Sequence, residues 1–163
     1  KNPQYKFHKY EKVIIMSERI QSTEQFKELW TNIYNTSGKP DWSHIIPYYD
    51  ENIYFRDSVQ EIHGIKEFKE MTERLVQRAQ DLKMKIINIT LDKQILFFEW
   101  QMSMSFGKYP NSTIYGLSRL TLNEAGKIAE QRDYYDLWGD IFDNIPKFGF
   151  AKKYRKFMKK KFG

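Results

Sequence analysis

Residues 94–106 read Gln94-Ile95-Leu96-Phe97-Phe98-Glu99-Trp100-Gln101-Met102-Ser103-Met104-Ser105-Phe106. Phe98, Trp100, Met102, Met104 and Phe106 stand at every second position. That period belongs to a β-strand, whose successive side chains point to opposite faces. The segment therefore predicts a strand with one apolar, Met-rich and aromatic face. Residues 82–91, 112–122 and 127–137 predict three more strands, all joined by short turns. In the turn Asn123-Glu124-Ala125-Gly126-Lys127, Gly126 occupies the place where a positive φ is needed. Consecutive strands with short connections pair antiparallel. On the last strand, Gln131, Asp133 and Tyr135 share one face.

Upstream the period changes. Ser22 with Gln25 forms a capping box for a helix over 22–36, and Phe26, Leu29, Trp30, Ile33 and Tyr34 line its inner face. Gly38-Lys39-Pro40 ends it. Asp41 then caps an expected second, short helix through about Tyr49, with Trp42, Ile45 and Ile46 inward and Pro47 disturbing its end. Residues 53–58 alternate as a strand, with Ile53, Phe55 and Asp57 on one face and Tyr54 and Arg56 on the other. After Gly64, residues 65–80 predict a helix that buries Ile65, Phe68, Met71, Leu75 and Ala79. The order α-α-β-α-β-β-β-β is an α+β pattern. It predicts three N-terminal helices packed on one face of a strongly curved, mainly antiparallel sheet. Between those layers lies room for an apolar pocket with a few polar groups.

The chain has 163 residues, the size of one domain with one substantial core. The absence of cysteine excludes disulfides, Cys-ligated zinc and thiol catalysis. His8, His44 and His63 show no metal-ligand spacing, so no metal is expected. Neither a Gly-rich phosphate loop nor a nucleophile elbow is present, and no cofactor is expected. No apolar run is long enough to cross a membrane, and Val13-Ile14-Ile15 is too short a core for a signal peptide. The expected compartment is cytoplasmic, with peripheral membrane attachment as an extension of that reading.

The net charge of +6 is concentrated at the ends. Residues 151–163 hold seven Lys/Arg and no acid, whereas 21–150 hold 15 basic and 19 acidic residues. A nucleic-acid partner is therefore not expected for the body. The organisation read from this pattern is an extension at 1–20, a folded domain at 21–140 and a basic amphipathic arm at 141–163. Met16-Ser17 resembles a translation start, which would make 1–15 an extension. After the last strand, Trp138, Ile141, Phe142 and Ile145 make a helical stripe that Pro146 and Gly149 break. Residues 151–162 then predict a helix with Ala151, Tyr154, Phe157, Met158 and Phe162 on one side. This is the composition of an interfacial helix for an anionic membrane surface. The preferred reading packs it across the acidic body or a second subunit as a capping arm, with the membrane surface as its rival and nucleic acid disfavoured by the acidic body.

The run Tyr49-Asp50-Glu51-Asn52-Ile53-Tyr54-Phe55-Arg56-Asp57-Ser58, followed by Gly64 and a helix, resembles the first strand of the NTF2-like superfamily. Its nearest likeness is the SnoaL-like and ketosteroid-isomerase-like branch. Gly126-Lys127-Ile128-Ala129-Glu130-Gln131-Arg132-Asp133-Tyr134-Tyr135-Asp136 resembles that branch's closing strand. The resemblance covers about residues 22–140 and implies an α+β cone with a deep apolar pocket, often in a homodimer. In the isomerases of this branch an Asp moves a proton beside a carbonyl, helped by a Tyr and a protonated Asp. Asp57 matches the base position, and Ser118 stands where the second Asp is found. Asp133 resembles the acid/base Asp of SnoaL-type cyclases. The epoxide-hydrolase branch uses an Asp-Arg-Asp set, for which Arg56, Arg119 and Arg132 are candidates, although strand parity sets Arg56 and Arg132 opposite Asp57 and Asp133.

A carboxylate on an apolar face is costly to ionise, and a raised pKa suits general acid/base work. The alternative is that each acid is satisfied by Tyr or Trp, or sits in water at the pocket mouth. The candidate catalytic residues are therefore Asp57, Asp133 and Ser118. The candidate ligand-binding residues are Trp30, Tyr34, Phe55, Trp100, Met102, Met104, Gln131 and Tyr135. The expected ligand is small and apolar or polycyclic, and the expected chemistry is an isomerisation or cyclisation. A non-catalytic dimeric module is the rival reading.

Overall fold

The computed structural model describes residues 18–79, 82–105, 112–141 and 150–162. His8, the Met16-Ser17 start, Phe106 and the 142–149 part of the arm lie outside the described residues.

Helix α1 spans Thr23–Tyr34. Ser22 Oγ accepts from the Gln25 N–H at 3.1 Å, which satisfies one of the free donors at the helix start. Gln25 also holds the incoming chain: its Oε1 accepts from the Gln21 N–H at 2.8 Å and its Nε2 donates to the Arg19 carbonyl at 3.1 Å. Phe26, Trp30 and Ile33 are buried on the stripe that the spacing predicts.

The expected helix from Asp41 to about Tyr49 is corrected to a turn and a short 3-10 segment at Ile46–Tyr48. Asp41 Oδ1 accepts from the Ser43 N–H at 2.8 Å and so closes a tight local turn. Pro47 has no N–H to continue a helix. Tyr49 is already extended, with φ −89° and ψ 146°. Among the described residues two α-helices, not three, precede the long strands.

Strand β1 spans Tyr49–Arg56, beginning before the expected Ile53. A short strand β2, Glu61–His63, turns back on it with Phe55 opposite Ile62. Helix α2, Ile65–Arg78, follows Gly64, whose φ of +85° is the reason glycine suits that position. Then come β3 (Lys83–Asp92), β4 (Ile95–Met104), β5 (Ser112–Leu122) and β6 (Ile128–Tyr135). The order across the sheet is β2-β1-β6-β5-β4-β3. β1 and β6 run parallel, and the remaining neighbours are antiparallel. The sheet is thus mixed. Register shifts at Tyr49/Tyr54, Ile86/Asn88 and Thr121/Leu122 are irregularities of the bulge type, which bend strands.

In the β5–β6 turn Gly126 has φ +76°, and the Asn123 N–H donates to the Lys127 carbonyl at 2.8 Å. Both helices pack on one sheet face. Phe26 of α1 meets Phe98 of β4 with ring centroids 5.2 Å apart, and Phe68 of α2 meets Tyr49 of β1 at 4.6 Å. After β6 a single π-helical turn, Leu137–Ile141, lies against β5, where Asp140 Oδ2 accepts from the Tyr115 N–H at 3.0 Å. Helix α3 spans Phe150–Phe162.

Candidate functional site

Strand register assembles the site in rows. Phe98, Ser118 and Asp133 lie side by side across β4, β5 and β6, and Trp100, Gly116 and Tyr135 form the next row. Leu120, Gln131 and Phe55 form a third. These rows bring Ser118 directly opposite Asp133, and the Ser118 hydroxyl donates to Asp133 Oδ1 at 2.6 Å. The same Oγ accepts from Trp100 Nε1 at 2.9 Å. From the other side Gln131 Nε2 donates to Asp133 Oδ1 at 3.0 Å and Oδ2 at 3.3 Å. Gln131 is itself held by the Tyr49 hydroxyl, which donates to its Oε1 at 2.8 Å. Two hydrogen-bond chains, from Tyr49 and from Trp100, therefore converge on one carboxyl group.

Gly116 makes this arrangement possible. A Cβ at that position would lie 2.2 Å from Cζ2 of Trp100. Without one, the indole packs against the Gly116 backbone and its Nε1 reaches Ser118. Sequence reasoning passed over Gly116, although a glycine inside an alternating strand is a general mark of close approach.

The inner sheet face, α1 and α2 border a half-open cavity of about 400 Å³. Trp30, Tyr34, Phe55, Trp100, Met102, Met104, Gln131 and Tyr135 all line it, as do Asp57 and Asp133. Ser118 does not; it is 1% exposed and lies behind Asp133. Met84 was not foreseen: its Sδ accepts from Trp30 Nε1 at 2.8 Å and fixes that indole as a wall. Arg74 and Arg78 of α2 also reach the lining from exposed positions.

Asp133 keeps part of its surface open to the cavity, and protein atoms otherwise surround its carboxyl. Burial pushes its pKa up to about 6. The hydrogen bonds from Ser118 and Gln131 oppose that rise, the charge of Asp57 adds to it, and the charge of Arg132 opposes it slightly. Tyr34 and Tyr49 are raised by burial first and then by the charge of Asp133, so both hydroxyls stay neutral donors. Tyr135 is raised by burial and by the charge of Asp57.

Asp57 is differently placed. It follows the end of β1, and its Oδ1 accepts from the Val59 N–H at 2.7 Å and the Gln60 N–H at 2.8 Å. The acid closes the turn into β2 while lining the cavity. The candidate arginines lie on the other side of the sheet. Arg56 pairs with Glu61 at 2.9 Å, Arg119 with Glu130 at 3.1 Å, and Arg132 lies over the Tyr134 ring at 5.1 Å. No group of three His, Cys, Asp or Glu among the described residues is placed to hold a metal ion. His44 sits 2.8 Å from the Leu29 carbonyl, and His63 stacks on Tyr54.

Residues 26–131 match the model of a family described as an uncharacterized conserved protein family, DUF2358. The chain belongs to the DUF2358 family. Comparison of this DUF2358 protein with curated proteins finds no match. Its fold does match solved structures. An LEH-like epoxide hydrolase of M. tuberculosis is similar with a TM-score of 0.58 and 17% identity, over 81% of this chain and 92% of that one. A protein of Catenulispora acidiphila with a ketosteroid-isomerase-like fold, solved with trimethylamine, is similar with a TM-score of 0.64 and 11% identity, over 76% and 93%. A SnoaL-like polyketide cyclase of Shewanella denitrificans, itself assigned by likeness, is similar with a TM-score of 0.57 and 15% identity, over 66% and 86%. At these identities the likeness is one of fold alone. The DUF2358 protein has the NTF2-like, SnoaL-like and ketosteroid-isomerase-like fold that its first and last strands resemble. No helix among its described residues is long and apolar enough to cross a membrane.

Proposed function

We propose that this DUF2358 protein binds a small apolar or polycyclic molecule in the cavity and moves a proton on it through Asp133. The observation that carries the reading is a carboxyl group with a pKa of about 6 that opens into a 400 Å³ cavity walled by Trp30, Trp100, Met102 and Met104. At pH 7 about nine in ten such groups are ionised and can accept a proton, and the acid form is accessible enough to return it. Ser118 and Gln131 both donate to Oδ1, leaving Oδ2 with only the 3.3 Å contact from Gln131. Oδ2 is the oxygen that would meet the ligand. Ser118 is a positioning residue in this scheme, acting through Asp133. Asp57 contributes through its charge, which strengthens proton binding at Asp133. Tyr34 lines the same cavity with a neutral hydroxyl, suited to donate to a ligand oxygen on which negative charge develops.

The reading is tested by native mass spectrometry of the full chain purified without denaturation, followed by identification of the small molecules it releases. A carbon-rich molecule retained in stoichiometric amount is expected. Asp133→Asn should keep that molecule bound and abolish its conversion. If no molecule is released, and none of a panel of polycyclic ketones and lactones is retained, the reading is wrong.

A further inference from the structure

Helix α3 carries Lys152, Lys153, Arg155, Lys156, Lys159, Lys160 and Lys161 and no acid. At about 100° per residue, Tyr154, Phe157, Met158 and Phe162 fall within an arc of roughly 140°, joined there by Lys161. The other six cations occupy the rest of the circumference. Lys161 does not break the apolar side, because its ammonium lies over the rings of Phe157 and Phe162 at 5.7 and 5.6 Å. Its stem covers apolar surface while its charge stays at the edge.

The body leaves this aromatic side open. Tyr154 is 50% exposed, Phe157 55% and Phe162 71%. Trp138, itself 46% exposed, stacks on Tyr154 with centroids 5.8 Å apart and extends the aromatic surface. The turn that carries Trp138 is tied down by the Asp140–Tyr115 bond and by Asp136 Oδ1, which accepts from the N–H groups of Trp138 and Gly139 at 3.0 and 2.9 Å. The exposed patch is thus attached to the sheet.

We propose that α3 docks on the surface of a membrane rich in anionic lipid, with Trp138, Tyr154, Phe157 and Phe162 in the interfacial layer and the lysines among the headgroups. Charge and shape agree on this occupant. Aromatic side chains settle at the headgroup level, and a juxtaposed cationic arc binds the negative surface potential. A nucleic acid would use the cations but leave the aromatic arc in water. It would also face the acidic body, where 19 acids over residues 21–150 outnumber 15 bases. The proposal is independent of what fills the cavity.

The test is co-sedimentation of the full chain with vesicles of phosphatidylcholine, with and without about one phosphatidylglycerol in three lipids, at low and high salt. Binding only to the anionic vesicles, weakened by salt and accompanied by a blue shift of tryptophan emission, is expected. Lys152→Gln/Lys156→Gln/Lys159→Gln should weaken partitioning roughly a hundredfold. Phe157→Ser/Phe162→Ser should weaken it at unchanged charge, and both variants should keep the melting temperature of the parent. Failure to sediment with anionic vesicles overturns the proposal. So does binding indifferent to the Phe→Ser changes, tighter retention of an oligonucleotide than of vesicles, or a dimer in which the aromatic patch is already covered.

Discussion

A rise in pH should weaken the fold through Asp133, and Asp133→Asn should erase that contribution. The carboxyl titrates at an ordinary carboxylate value of 3.8 when unfolded and near 6 when folded. Below 3.8 both states hold the proton, and the group costs nothing. Between the two values the folded state keeps its proton while the unfolded state has released it, so stability falls as pH rises. Above about 6 the loss is complete and constant. The shift of about two pKa units corresponds to about 3 kcal/mol, and closer to 2 if water in the cavity screens the charge. Asn keeps the shape and an oxygen to accept from Ser118 and Gln131 but cannot ionise. Urea unfolding of both proteins across pH 4 to 8 isolates the effect, because the other acids cancel in the difference. The variant should gain on the parent by about 2–3 kcal/mol between the acid end and pH 7. A flat difference, or a variant that loses ground as pH rises, would show that Asp133 is not held in a desolvated site. Asp57→Asn should lower the midpoint of Asp133, since the charge of Asp57 helps to raise it.

Ser118→Ala removes the acceptor for Trp100 Nε1 and the donor to Asp133. It should cost about 1–3 kcal/mol through the unpaired buried N–H and raise the Asp133 midpoint in an NMR titration of its carboxyl carbon. A lower midpoint would contradict the assigned direction of that hydrogen bond. Gly116→Ala places a methyl group 2.2 Å from Cζ2 of Trp100, so the indole must move. A loss of about 1–3 kcal/mol and a changed near-ultraviolet tryptophan signal are expected, and an unaltered spectrum would refute the close approach.

The sequence alone determined what depends on neighbours along the chain. Alternation over 94–106 identified β4, the Ser22–Gln25 box and the apolar stripe identified α1, and Gly126 marked its hairpin turn. Parity on β6 set Gln131, Asp133 and Tyr135 on one face before any pairing was known. Local signals failed where two of them competed, as at Asp41 and Pro47, or where a segment was too short to show a period, as in β2. Only the tertiary structure decided which residue stands beside which. That Ser118 meets Asp133, that Gly116 leaves room for Trp100, and that β1 lies parallel to β6 are consequences of register between strands distant in sequence. Hydrogen bonding across a sheet accepts any residue at a given step, so no single strand encodes its partner. The environment that lifts Asp133 toward neutral pH is made by that pairing, together with the helices that cover the inner face of the sheet.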